Sequence, residues 1–231
     1  MPHPNSVLDL RSRELAKATR VFLARGTKIQ RCEHCLVAKS ECICQHRPTV
    51  NCRSAVCFIM YRGEYFKPSN TGRIIADVIS NNHAFLWERT QIDPQLEALL
   101  NNAKYAPVVV FPQQYAEPSR WISTQADLSH ATQGKIPLFV MLDGTWREAK
   151  KMFKSPYLAA LPVLGIQPTE NSSYQLREAA HLHQLCTAEV AIEILKIAED
   201  HQAASALDSY FSRFRDAYLV HKPHLKPLPV S

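Results

Sequence analysis

No stretch of this sequence is apolar over the roughly 20 residues that a bilayer-crossing helix needs, and the N-terminus carries no apolar signal core ahead of a small-residue cleavage site. A soluble, cytoplasmic protein is the expectation. No internal repeat is visible, which argues against solenoid and propeller arrays. The cysteines number seven, an odd count that cannot pair completely within one chain, and a reducing compartment would leave them free, metal-bound or catalytic. Acid is scarce near the start: Asp9 and Glu14 are the only carboxylates in the stretch that holds Arg11, Arg13, Lys17, Arg20, Arg25, Lys28 and Arg31.

What is present suits a globular protein. At 231 residues with 46% hydrophobic composition, the chain can bury a sizeable core, and one main domain with a short appendage is expected. The 27 Lys and Arg outnumber the 21 Asp and Glu, giving a net charge of +6 and a pI near 9.0. A modest excess can serve solubility alone, but its clustering before residue 32 reads as an electrostatic footprint for phosphates.

Apolar spacing over Leu8, Leu15, Ala18 and Phe22 predicts an amphipathic helix from Ser6 to about Gly26. After Pro48 the pattern changes to short apolar runs: Ala55 to Met60, Phe85 to Trp87, Pro107 to Phe111 and Pro137 to Leu142 read as buried strands. Between them, Asn70 and Thr71 are placed to cap a helix, and Pro94 to open another. Further helices are expected from Thr187 through Ala198 and from Leu207 to Val220. This alternation implies an α/β fold, a parallel sheet with flanking helices. The resulting division is a basic helix and cysteine segment over 1–48, a main α/β domain over 49–220 and a flexible tail over 221–231.

Cys32-x-x-Cys35 and Cys42-x-Cys44 place four thiols within thirteen positions, a spacing that can close around one tetrahedral zinc. Their neighbours Glu33, His34, Lys39, Ser40 and Glu41 offer little apolar company, so burial as small hydrophobes explains them poorly. His34 and His46 are alternative ligands. A closed four-sulfur site leaves no open coordination position, so the zinc would be structural. Cys52 and Cys57 lie outside the cluster and read as structural.

The run Pro137 to Leu142 is followed at once by Asp143-Gly144-Thr145-Trp146 and then by a helical pattern. Such a strand-to-helix turn sits where α/β folds place ligands. Thr145 with Glu148 fits a capping box, Gly144 allows a tight turn, and Trp146 can face either the core or a ligand. Capping does not call for Asp143, and Arg147, Lys151 and Lys154 form a basic stripe beside it.

The Asp-x-Thr-Trp signature resembles that of the DTW-domain family, whose bacterial members also begin with a cysteine-rich zinc segment. Pro68 to Arg73, Phe111-Pro112, Asp143 to Trp146, Ser173 to Arg177 and Leu185 to Glu189 are similar to family blocks in the same order. With the four cysteines, the resemblance spans roughly residues 30 to 200. It implies a SPOUT-like trefoil-knotted fold that binds S-adenosyl-L-methionine through Phe111, Pro112, Leu142, Gly144, Thr145, Trp146, Leu185, Cys186, Thr187 and Glu189. It also implies transfer of the 3-amino-3-carboxypropyl group to N3 of a uridine in the tRNA variable loop.

Losing the N3 proton makes uridine a nucleophile, and Asp143 is the candidate catalytic residue. An ordinary aspartate, with a pKa of about 3.9, is a weak base, so Asp143 either gains basicity from its surroundings or orients the uracil by accepting its N3 hydrogen bond. In the second version Arg73 or Arg177 would balance charge developing on the ring. Candidate RNA contacts are Arg20, Lys28, Arg31, Arg73, Arg147, Lys151, Tyr174 and Arg177, although a surface salt bridge also accounts for Arg177. Thr187 reads equally as a helix cap, and Glu189 as a partner of the helix dipole. Two alternatives stand beside the transferase: an RNA methyltransferase using the same donor, and a non-catalytic zinc-containing RNA-binding protein.

Overall fold

The computed structural model describes residues 3–18, 29–166 and 186–221. Six strands, β1 (Ala55–Met60), β2 (Asn82–Leu86), β3 (Tyr105–Val110), β4 (Trp121–Ile122), β5 (Ile136–Asp143) and β6 (Val163–Leu164), form one sheet in the order β2-β1-β5-β3-β6-β4. Every pairing is parallel. The helices are α1 (Ser6–Ala16), α2 (Gly72–Val78), α3 (Pro94–Leu100), α4 (Gln125–Thr132), α5 (Trp146–Phe153), α6 (Thr187–Ile197) and α7 (His201–Leu219).

Because successive side chains leave a strand on opposite faces, a sheet covered on both sides needs unbroken apolar runs. All six residues of β1 are buried for this reason. Val56, Phe58 and Met60 join Phe139, Met141 and Val108 in a core roofed by α1, α2, α4, α6 and α7. Ala55, Cys57 and Ile59 join Leu138, Val140 and Val109 in a second core beneath α3 and α5. Cys57 is thus a buried structural side chain.

Local chemistry sets the helix starts. Asp93 accepts from the amides of Gln95 and Leu96 ahead of Pro94, and Thr145 with Glu148 forms the expected capping box. Asn5 caps α1, while its Nδ2 donates to the Arg73 carbonyl at 2.9 Å and to Asp77 Oδ1 at 2.8 Å, docking α1 on α2. The cysteine segment joins the same structure: Cys35, Val37 and Ile43 belong to the core that contains Phe58 and Phe214.

Several elements depart from the expectations. Helix α1 ends at Ala16 with Lys17 as its C-cap, and residues 19–26, which were to continue it, lie outside the described residues. Helix α7 begins at His201, six positions before Leu207, because buried Ala203 and Ala204 extend its apolar face with side chains too small to stand out in the sequence. Cys186, not Thr187, is the N-cap of α6.

Candidate active site and metal centre

Strands β1, β5, β3 and β2 end side by side. Met60 pairs with Asp143, the Tyr61 amide donates to the Asp143 carbonyl at 2.8 Å, and the Trp87 amide donates to the Met60 carbonyl. This rim of carboxyl ends is where the family of open α/β sheets leaves room for ligands. Asp143 follows Phe139 and Met141 on the face that α2 covers, so its side chain is turned towards the start of that helix and is only 5% exposed.

Two residues there, Asn70 and Gly72, close on the carboxylate. Asn70 Nδ2 donates to Asp143 Oδ2 at 2.7 Å, and the Arg73 amide donates to Asn70 Oδ1 at 3.4 Å, which fixes the amide's orientation. A Cβ at Gly72 would lie 3.0 Å from Asp143 Oδ2 and 3.2 Å from Asn70 Oδ1, so that position has no room for a side chain. Thr71 makes no side-chain cap for its own helix. Its Oγ1 instead accepts from the Ala188 amide at 3.3 Å, joining the first turn of α6 to the same corner. Cys186 and Glu189 close that turn, with the Cys186 amide donating to Glu189 Oε2 at 2.8 Å, and burial beside Glu189 pushes the Cys186 thiol up, so it stays protonated.

The other face of the rim is aromatic. Phe111 stacks on Trp146 (5.4 Å between centroids) and on Phe153 (4.4 Å), and Tyr115 meets Trp146 edge-on. Trp146 remains 39% exposed, with the Lys150 ammonium over its ring at 5.4 Å. Tyr61 and Trp87 stack at 5.5 Å on the β1–β2 side. Gly144 sits between, where a Cβ would meet that of Tyr61 at 3.2 Å. A buried acid on one face and a partly exposed indole on the other can together hold a polar group and a flat ring.

In the cysteine segment, Leu36 adopts a left-handed φ of 54° and the Leu36 amide returns to the Cys32 carbonyl, folding Cys32 and Cys35 into one knuckle. All four sulfurs of Cys32, Cys35, Cys42 and Cys44 lie within 4.8 Å of one another, with separations of 3.6 Å for Cys32–Cys44, 3.7 Å for Cys35–Cys42 and 3.6 Å for Cys32–Cys42. A tetrahedron with metal–sulfur bonds of about 2.3 Å has sulfur edges of about 3.8 Å, so this set fits zinc. Burial opposes ionisation of Cys32, yet the amides of Cys35 and His34 and the thiols of Cys44 and Cys42 bring it down to about 6. His34 and His46 do not belong to the four-residue cluster.

The family model for the DTW domain matches residues 29–219, which include the cysteine knuckle, the Asp143 corner and α6. This chain belongs to the DTW-domain family. Membership is consistent with a tRNA-modifying transferase. No solved structure matches the chain.

Within this DTW domain the candidate residues divide by place. Leu142 to Trp146 and Phe111-Pro112 come together on the rim, and Cys186, Thr187 and Glu189 reach it through Thr71. Arg147 and Lys151 are exposed on α5. Arg31 is partly buried, donates to the Leu36 carbonyl at 3.1 Å and lies over Tyr218. Arg20, Lys28, Tyr174, Arg177 and Leu185 lie outside the described residues.

Arg73 lies in the interior, beneath the rim. It is 1% exposed, its guanidinium lies 4.9 Å over the Phe214 ring, and its Nη2 donates to the Pro68 carbonyl. Helix α2, which carries it, is packed on α7. Sequence reasoning also missed Asn70 and Gly72 as partners of Asp143. The nearest signal was Asn70 beside a helix start, which capping already explained.

Proposed function

We propose that this protein transfers the 3-amino-3-carboxypropyl group of S-adenosyl-L-methionine to N3 of a uridine in the tRNA variable loop, forming 3-(3-amino-3-carboxypropyl)uridine. The observation that carries the reading is the Asp143 corner in a DTW domain: a buried carboxylate held by Asn70 at the carboxyl end of a central strand. The reaction needs N3 to lose its proton, the N3–Cγ bond to form and the Cγ–sulfonium bond to break, releasing 5′-methylthioadenosine. Asp143 receives or orients the N3 proton, and Asn70 keeps the carboxylate pointed at it. Trp146 stacks on a flat ring of donor or base, beside the Phe111 and Tyr115 that brace it. Leu142, Gly144, Thr145, Pro112 and the turn Leu185 to Glu189 hold the donor, with the sulfonium's Cγ, not its methyl, in line with N3.

Arg147, Lys151, Arg31 and the basic residues Arg20 and Lys28 take tRNA phosphates, and Tyr174 and Arg177 contact the loop. Zinc on Cys32, Cys35, Cys42 and Cys44 is structural and takes no part in the transfer. A SPOUT-class knot belongs to the same proposal. Residues 167–185, which join β6 to α6, lie outside those described.

The test is mass spectrometry of nucleosides from unmodified tRNA incubated with the zinc-loaded protein and donor, beside Asp143→Asn. The expected result is a uridine heavier by one aminocarboxypropyl group, reduced at least about 100-fold in the variant, the scale of a lost proton-transfer group. A methylated nucleoside would select the methyltransferase, and tRNA binding without any product would select the binding protein.

A further inference from the structure

Tyr115, Trp121 and Trp146 are three of the four large apolar side chains left exposed among the described residues, at 42%, 42% and 39%. They belong to one neighbourhood. Tyr115 meets Trp146 edge-on at 5.6 Å and leans on Phe111 at 5.5 Å. Trp121, the first residue of the edge strand β4, donates its indole N–H at 3.0 Å to the carbonyl of Ala116, the neighbour of Tyr115. That bond uses the only polar atom of the indole, so what Trp121 offers to solvent is ring alone.

The backbone under these rings is stapled from both sides. Gln113 Nε2 donates to the Ile122 carbonyl at 2.6 Å and to Ser123 Oγ at 3.0 Å, tying the start of the segment 112–123 to its end. Arg120 Nε and Nη2 donate to the carbonyls of Leu161 and Leu158 at 2.7 and 2.8 Å, with the guanidinium over Phe153. A Cβ at Gly165 would lie 2.7 Å from Gln113 Cγ, so the residue after β6 leaves the space that Gln113 fills. Rings exposed on backbone held this firmly lose little freedom when something binds them, which is the design of a preorganised contact surface.

The surrounding charge selects the partner. Lys150 holds its ammonium 5.4 Å over the Trp146 ring, and Arg147, Lys151 and Lys154 are exposed beside it. Of the acids that flank the rings in sequence, Glu148 is spent on the cap of α5 and Asp127 on that of α4, while Glu117 is exposed. Aromatic faces among cations suit unpaired nucleotides, since every base has a π-face and every linkage a phosphate. We propose that Tyr115 and Trp121 form a stacking platform for unpaired RNA bases, which continues the rim outward from Trp146 over the edge strand and holds the nucleotides next to the one that enters the Asp143 corner. Which nucleotides these are rests on the proposed tRNA substrate, whereas the platform itself does not need the transfer chemistry.

Binding is measured by fluorescence anisotropy with no donor present, using an unstructured RNA of about eight nucleotides and a GC-rich RNA duplex. Wild type, Trp121→Ala, Trp121→Phe and Tyr115→Ala are compared. A lost stacked base costs about 5- to 100-fold in affinity, so Trp121→Ala is expected to bind the single strand at least about fivefold more weakly and the duplex, whose bases are already stacked, as wild type does. Trp121→Phe keeps a ring and recovers most of the loss. Stacking displaces no counterions, so the slope of log affinity against log salt stays at its wild-type value in Trp121→Ala. Equal single-strand affinity in wild type and Trp121→Ala would overturn the proposal, as would an equal fall for single strand and duplex. A dimer in sedimentation that Trp121→Ala dissociates, with RNA affinity unchanged, would assign the rings to a second copy of the chain instead. Should Trp121→Ala not fold, Tyr115→Ala decides by the same comparison. Failure of the proposed transfer reads differently: a wild type that forms no modified uridine, yet loses single-strand binding in Trp121→Ala, keeps the platform and loses the reaction.

Discussion

At the scale of single residues, the Asp143 corner depends on a position with no side chain. Gly72 is the first residue of α2, where alanine would ordinarily improve helix stability. Here its Cβ would fall 3.0 Å from Asp143 Oδ2 and 3.2 Å from Asn70 Oδ1, forcing apart two groups now 2.7 Å from each other. Stability and activity should therefore separate. Gly72→Ala is expected to unfold within a few degrees of wild type while forming modified uridine at least tenfold more slowly, and tRNA nucleoside analysis beside a melting curve checks both. Wild-type rates in Gly72→Ala would mean that the Asn70–Asp143 geometry does not limit the reaction.

The elements show which features of a sequence report on structure. Strands β1, β3 and β5 fall on the apolar runs that announced them, because a strand buried on both faces cannot interrupt its pattern, whereas the edge strand β2 begins at Asn82, three residues before the expected run at Phe85. Strands β4 and β6 have two residues each and leave no period to read. The turn after β5 was legible because capping has its own residue code, and the box formed by Thr145 and Glu148 is present with Thr145 N to Glu148 Oε2 at 2.7 Å. Arg73 was not legible: an arginine in a polar block reads as exposed, and its burial depends on packing against Phe214 on α7, over 140 positions away. Thr145 also stands among the proposed donor contacts, and substitution can divide the two roles. Thr145→Ala should lower stability by about 1 kcal/mol, seen as a lower urea midpoint at unchanged slope. Thr145→Ser keeps a hydroxyl cap and should restore that midpoint, so any loss of product formation that persists in the serine variant belongs to donor binding.

Across the whole molecule, the excess of positive charge is distributed less simply than the sequence suggests. Helix α1 is not a separate arm: its Val7 and Leu10 share a core with Val37 and Ile43 of the cysteine segment and with Phe58 of the sheet. Arg11 is half-buried, and Arg31 is held by Leu36 and Tyr218. Removing residues 1–48 would strip side chains from the main core, so a fall in tRNA affinity after such a truncation would not distinguish lost contacts from lost structure. The exposed cations of α5 give a cleaner measure, since Arg147 and Lys151 follow the Asp143 turn directly and take no part in the buried cores. Each phosphate contact releases counterions, so removing one should reduce the slope of log affinity against log salt by about 1 and weaken binding most at low salt. Arg147→Ala with Lys151→Ala is therefore expected to lower that slope by about 2 while leaving the melting temperature near wild type. A slope identical to wild type would place the tRNA backbone away from α5, and with it the rim on which Asp143 and Trp146 stand.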